Sequence, residues 1–282
     1  MGKFGNPEIF TESIGRKPSY TIPMMIQGKS CTLTVAKDGE YYPLPYSEET
    51  VRQASKGYAL PGCIGIRNRE KIVETGKSIT GCVVTRLEYN NILALFLLLF
   101  YSNEKFDILV DRVCEKLIYK NVSIKEFQLR GENKNPLYLR LDVKENEDSF
   151  VTGWDITTPS LSWEPCRTFY FDGHSVIADL KKLPLVYRFE LIGKFTEKAK
   201  YQITLYFPLS ENHYPNQNRI EKLSITIDLK NGVSLDLYDL KPLDDMADIN
   251  CADTVLCYQK FEICGIVVFN IRNQNENKTV VL

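Results

Sequence analysis

Along most of the chain apolar and polar residues alternate one by one. Cys31, Leu33 and Val35 alternate with Thr32, Thr34 and Ala36, and Leu137, Leu139, Leu141 and Val143 alternate with Tyr138, Arg140 and Asp142. The rule continues in Tyr187, Phe189 and Leu191, in Tyr201, Ile203, Leu205 and Phe207, in Leu223, Ile225, Ile227 and Leu229, and in Val233, Leu235 and Leu237. Successive side chains of a strand point to opposite faces, so the pattern predicts half-buried strands. Lys230-Asn231-Gly232 separates the last two runs, and Asn-Gly supplies the positive φ that a tight hairpin turn needs. From Ile118 to Leu129 the phase changes: Ile118, Val122 and Ile124 share one parity, Phe127 and Leu129 the other. A β-bulge near Lys125 reconciles them. The chain reads as a mainly antiparallel β protein.

One stretch breaks the alternation. In "YNNILALFLLLFYSNEKF", ten consecutive apolar residues run from Ile92 to Tyr101 between polar flanks. A membrane span needs about 20 such residues, whereas ten residues of helix rise only about 15 Å. Five leucines and an alanine favour helix, and Ile92 is the only β-branched residue of the run. Asn90 or Asn91 serves as N-cap. The prediction is a short helix over 90–102, apolar on every side and therefore covered on every side, either by a sheet of its own chain or by a neighbouring subunit. Leu109, Val113 and Leu117, four residues apart, suggest a second helix from Phe106 to Leu117.

The segment from Lys37 to Thr75 shows little sustained period and carries "YYPLPY" and "GYALPGCIG". An excursion of that length in a compact domain is usually functional, and its tyrosines and leucines argue against simple disorder. Around Glu145 to Cys166, "KENEDS" and "TTPSLSWEP" interrupt the pattern again, which places a boundary between 1–148 and 149–282, either of two units or within one continuous domain.

Composition narrows the function. Lysine and arginine total 35 against 36 acidic residues, so the chain lacks the footprint of a dedicated nucleic-acid binder. The opening "MGKFGNPEIF" has no apolar segment of secretory length. The eight cysteines have no pair at zinc or redox spacing and sit in apolar company, as in "TGCVVT" and "EICGIVV"; they read as buried free thiols in a reducing cytoplasm. "QGKSCT" and "TGKSIT" end like phosphate-binding loops, but Pro23 and Lys71 stand where the first glycine belongs, and both lead into strands. Asp172, His174 and Ser175 crowd one turn, which cannot supply triad geometry. His213 has no matching ligands for a metal. No enzyme, cofactor or metal signature emerges.

The order of elements is informative. "ETGKSITGCVVTRLEYNNILALFLLLFYS" reads as a strand entering the apolar helix, and "LIYKNVSIKEFQLRGENKNPLYLRLDV" as two strands joined by a polar turn. "RTFYFDGHSVIADLKKLPLVYRFELIGKF" leads on to the last hairpins. This succession, from about Lys29 to Asn270, resembles the tail tube proteins of long-tailed bacteriophages. The resemblance implies an antiparallel β-sandwich or barrel with a flanking apolar helix, assembling into rings that stack into a hollow conduit for DNA ejection. Two such units in one chain imply a trimeric ring; one unit implies a hexamer. The partners would be further copies of itself, other tail proteins, and DNA only as passing cargo, with no membrane. The location would be the tail of a virion made in the host cytoplasm. In that setting Tyr41, Tyr42, Leu44, Tyr46, Tyr58 and Leu60 are candidates for contact between rings, and Leu95, Phe96, Leu99 and Phe100 for a subunit-interface helix. Ser224, Asp228, Ser234 and Asp236 are candidates for the lumen wall. Two other classes fit the same pattern: a matrix or capsid-associated β-sandwich, and a carbohydrate-binding sandwich using Tyr41, Tyr42, Trp154 and Trp163.

Overall fold

A computed structural model describes residues 31–60, 71–88, 104–112, 115–153, 168–178, 180–196, 198–208, 224–229, 233–248, 256–272 and 277–282. These residues form nineteen strands. The first nine are β1 (Thr32–Lys37), β2 (Glu40–Pro43), β3 (Tyr46–Glu49), β4 (Arg52–Leu60), β5 (Lys71–Arg86), β6 (Phe106–Asp111), β7 (Lys116–Glu132), β8 (Tyr138–Lys144) and β9 (Phe150–Gly153). There follow β10 (Val176–Ala178), β11 (Lys181–Lys182), β12 (Arg188–Lys194), β13 (Lys200–Pro208) and β14 (Ser224–Asp228). The chain ends with β15 (Val233–Tyr238), β16 (Leu240–Asp248), β17 (Leu256–Ile263), β18 (Val267–Arg272) and β19 (Asn277–Val281). They make a 13-stranded sheet and a 6-stranded sheet of order β11-β10-β14-β15-β18-β19, with antiparallel ladders throughout.

The runs that alternate in sequence alternate in burial. Phe189 and Leu191 of β12, Ile203 and Leu205 of β13, and Ile225, Ile227, Leu235 and Leu237 of the hairpin β14–β15 are fully buried. They meet in one hydrophobic cluster between the two sheets, a sandwich core in which each such side chain contributes about 1.5–3 kcal/mol. Phe127 lies opposite Gly193, and a Cβ there would sit 2.1 Å from its ring, so the glycine is what admits the aromatic. At one corner the chain crosses between the sheets twice. The turns after β15 and β17 lie side by side, with the Cys264 N–H donating to the Asp239 carbonyl at 2.9 Å.

The bulge falls where the phase change puts it. Ile124 pairs with Val143 and Glu126 with Asp142, leaving Lys125 unpaired on that edge. The freed Lys125 carbonyl accepts the Phe195 N–H at 2.9 Å. Just before it, Asn121 adopts φ 56. Its N–H donates to Asp107 Oδ1 at 3.0 Å, and its carbonyl accepts from Asn146 Nδ2 at 2.7 Å and Ser149 Oγ at 2.6 Å. β7 therefore bends. Its first half pairs with β6 and β9, its second with β8 and β12.

Two expectations change. The described residues of Phe106 to Leu117 form no helix but β6 and the start of β7, because a spacing of four fits period two as well as period 3.6. Phe106, Ile108 and Val110 face the main core, and Leu109 joins Ile118 on the other side. Lys37 to Thr75 is mostly strand: β2 and β3 are too short to show a period, and β4 has no buried neighbour on its outer side. β7 and β12 pair from Glu132↔Arg188 to Glu126↔Lys194, and one core spans both sides of residue 148, so a division into two units gains no support. The helix over 90–102, with Leu95, Phe96, Leu99 and Phe100, lies outside the described residues.

Gly81 of β5 has φ +138, and a Cβ there would lie 2.4 Å from the Thr50 carbonyl oxygen. Gly81→Ala is expected to cost about 3 kcal/mol, since both the backbone conformation and the close approach exclude a side chain. A urea melt measures the loss; an unchanged midpoint would contradict the packing described.

Candidate functional site

From β5 the large sheet runs as an eight-stranded wall, β4-β5-β8-β7-β12-β13-β17-β16. β5 pairs with β8 only from Thr80 to Arg86; from Lys71 to Ile79 its only partner is β4. β4 and this part of β5 thus leave the wall as a two-stranded ribbon. A bulge marks it, since Lys56 pairs with Gly76 and Gly57 with Glu74.

The base of the ribbon is pinned from both strands. Glu49, its side chain 4% exposed, takes Arg112 in a bidentate pair at 3.0 and 3.1 Å and the Val51 N–H at 2.6 Å. The Val51 carbonyl accepts from Arg112 Nη2 at 2.6 Å and from the Tyr119 hydroxyl at 2.8 Å. Thr50 N–H donates to the Cys82 carbonyl at 2.9 Å, and Cys82 N–H to Thr50 Oγ1 at 3.0 Å. On the other side Glu145 pairs with Lys56 and accepts the Ile79 N–H at 3.0 Å. The Lys56 ammonium, foremost, holds the Glu145 carboxyl below its ordinary pKa.

The candidates for contact between rings scatter. Tyr41 and Tyr42 lie half-buried on the edge strand β2, where Tyr42 donates to the Glu40 carboxylate and is pushed up in pKa by that bond. Leu44 is a core residue, 3% exposed, and is withdrawn from any contact surface; its N–H closes onto the Leu33 carbonyl at 2.9 Å. Tyr46, on β3, packs half-buried against the core. Tyr58 and Leu60 are positions on β4, opposite Val73 and Lys71. β2 and β4 sit on different branches of the sheet. Trp154 and Trp163 lie outside the described residues.

The lumen candidates do come together. Asp228 lies opposite Ser234, and Ser224 and Asp236 occupy the same outward face of β14–β15. Asn270 bridges them, donating to Asp236 Oδ2 at 2.5 Å while accepting the Thr279 hydroxyl at 3.1 Å. Gly76-Lys77-Ser78 is strand, as its sequence context predicts. In the Asp172 turn the Ser175 hydroxyl bonds the Asp172 and Asp228 carbonyls, and the His174 N–H bonds Asp172 Oδ1 at 3.1 Å. That is turn chemistry, with no imidazole–hydroxyl contact. Cys82 and Cys257 are buried thiols, while Cys264 is exposed.

What sequence reasoning missed is the open face of the wall. Arg130, Arg140 and Arg188 each stand two residues before an acid on the same strand face, Glu132, Asp142 and Glu190. The register sets Arg130 opposite Glu190 and Glu132 opposite Arg188, a square of alternating charge. Arg188 lies 3.9 Å from the centre of the Tyr206 ring. Beside it a groove of about 470 Å³ is lined by Gln128, Arg130, Asn135, Pro136, Tyr138 and Arg140, among others. The recurrence of Arg-x-Glu or Arg-x-Asp on three strands was the available signal. No protein-family model matches the chain, and no curated protein matches it.

Burial, and then Cys31 and Glu49 nearby, push the Tyr46 phenol up to about 12. A raised folded pKa means that the stability Tyr46 contributes is fully present below the free-tyrosine value near 10.0 and is lost as pH climbs toward 12. The denaturation midpoint is expected to fall across that window. Tyr46→Phe should lessen the fall without abolishing it, because burial also raises Tyr119 and Tyr201. A pH series of melts that is identical for both proteins would contradict this.

Proposed function

We propose that the chain is a structural virion protein that assembles into stacked rings, the tube of a phage tail, through which DNA passes. The observation that carries the reading is the wall's two ends. β4 and β16 are each nine residues long, and among the described residues each is paired on one edge only. An open strand edge of that length is a template for another chain, and here a bulge interrupts each edge, at Lys56/Gly57 and at Pro242/Asp244. The two edges differ in charge. β4 carries Arg52 and Lys56 and no acid, whereas β16 carries Asp244, Asp245 and Asp248 against Lys241. Two different complementary edges make a head-to-tail contact, and such a contact closes into a ring when its rotation allows. Three or six copies are the counts the reading entails.

The ribbon supplies the second contact. A two-stranded hairpin is marginal alone in water, and the outer part of this one carries Tyr58, Ala59 and Leu60 opposite Val73, Ile72 and Lys71. In this reading it orders against the next ring. Its pinned base at Glu49, Arg112 and Glu145 gives it a fixed direction, and this reduces the entropy lost on stacking.

Negative-stain microscopy of the concentrated protein tests the assembly, with rings and tubes expected and uniform monomers overturning it. Replacing residues 57–75 by Asn-Gly removes the outer ribbon and spares the core residues Leu44 and Val51. This variant is expected to keep a cooperative melt and to form rings but no tubes. Tubes of normal length would refute the ribbon's role. Asp244→Lys with Asp245→Lys is expected to abolish rings, and adding Arg52→Glu to the same chain to restore them in part, with three copies or with six.

A further inference from the structure

Four charge pairs cover the open face of the wall. Arg130 lies 3.5 Å from Glu132, Arg140 3.0 Å from Asp142, Arg188 3.4 Å from Glu190, and Lys194 3.5 Å from Glu126. The pairs are loose. Only Arg140 to Asp142 has hydrogen-bond geometry, through Nε alone, and Arg188 Nε has no hydrogen-bond partner. The side chains of Arg130 and Arg140 are 46% and 47% exposed, flanking Tyr138 over the groove. Exposed pairs of this kind hold by about 0–1 kcal/mol, so a guanidinium can turn to another oxyanion at little cost.

We infer that this face is the surface duplex DNA meets in the conduit, and that Glu132, Asp142 and Glu190 mask its arginines so that a phosphodiester backbone is touched and not held. The inference rests on the tube reading for the presence of DNA. The donor chemistry of the groove selects the partner. The groove offers guanidinium, amide and phenol donors, while its carboxylate Glu132 is already occupied by the Tyr187 hydroxyl at 2.8 Å and by Arg130. An unmasked arginine that neutralises a phosphate releases counterions, and each such contact steepens the salt dependence of log K by about 0.9. With an acid tethered two residues away, the phosphate competes against a partner that never leaves. Contacts form and exchange, and the strand slides.

The test removes the masks and keeps the shape. Glu132→Gln, Asp142→Asn and Glu190→Gln together preserve the acceptors for Tyr187 and Tyr206. Binding of a random-sequence duplex of about 30 base pairs is titrated by fluorescence anisotropy between about 50 and 200 mM salt, the range over which phosphate contacts are lost. The parent is expected to bind weakly with a shallow slope. The triple variant should bind at least about tenfold tighter at low salt, with a slope steeper by about 2–3. Asp228→Asn with Asp236→Asn, on the β14–β15 face, should behave like the parent. No gain in the triple variant, tight binding by the parent, or an equal gain in the β14–β15 variant would each overturn the inference. Asp142→Asn alone, at an exposed pair, is expected to show about one third of the slope change and decides the matter if the triple variant does not fold. Microscopy separates this from the parent reading. Tubes without the DNA gain sink the masking alone, and the gain without tubes removes the conduit while leaving a masked nucleic-acid surface.

Discussion

The bend in β7 is the constraint on which the fold depends. Straight, a strand of 17 residues would run about 56 Å, too long for a single sandwich layer. The left-handed Asn121 and the bulge at Lys125 turn it within five residues, and every polar group this frees has a partner. Asp107, Asn146 and Ser149 bind the Asn121 backbone, and the Phe195 N–H takes the Lys125 carbonyl. Because the two halves of β7 point differently, the strand belongs to two neighbourhoods at once. Its first half carries β6, β1 and β2 as one branch, and its second half joins β8 to β12. That second junction fastens the later strands to the earlier ones, and it makes the wall continuous from β4 to β16.

Much of this was legible because burial on one face leaves its period in the sequence. β8, β12, β13, β14 and β15 were readable residue by residue, and so was the bulge, since a register slip must flip parity when one face stays in the core. Where no face is buried there is no period to read. Arg52 to Lys56 of β4 are exposed or half-buried, and the strand reads as an excursion, although its nine residues pair with β5. Leu109 and Leu117 misled because four is a multiple of two. Leu44 misled because "PLP" reads as a loop, while the prolines only end β2 and let the leucine between them turn into the core.

The candidate surfaces were less legible for a related reason. Which outward residues meet depends on pairings between distant strands, and the sequence does not state those. Ser224, Asp228, Ser234 and Asp236 could be grouped because a single hairpin joins them. Arg130 and Glu190 are sixty residues apart and become neighbours only through the β7–β12 ladder. The in-strand half of the pattern, an arginine two residues before an acid, was visible on three strands without it.

The wall also separates two electrostatic tasks that near-neutral composition conceals. Across its open face charges cancel over a few ångströms, since every carboxylate of the square stands beside a cation on its own strand and opposite one on the next. At its two ends the sequence is more one-sided: Arg52 and Lys56 lie on β4, where Glu145 pairs with Lys56, and three aspartates on β16, where Lys260 stands opposite Asp244. Local cancellation gives a surface with little reach beyond a Debye length of about 8 Å, which suits something that must pass. In the proposed ring, that difference favours contact between unlike ends of two copies. Were the same charges shuffled between face and ends, the net of −1 would be unchanged. In the proposed tube, such a shuffle would unmask the face and remove the preference for unlike ends. On that reading the placement of charge, and not its total, carries the functional information.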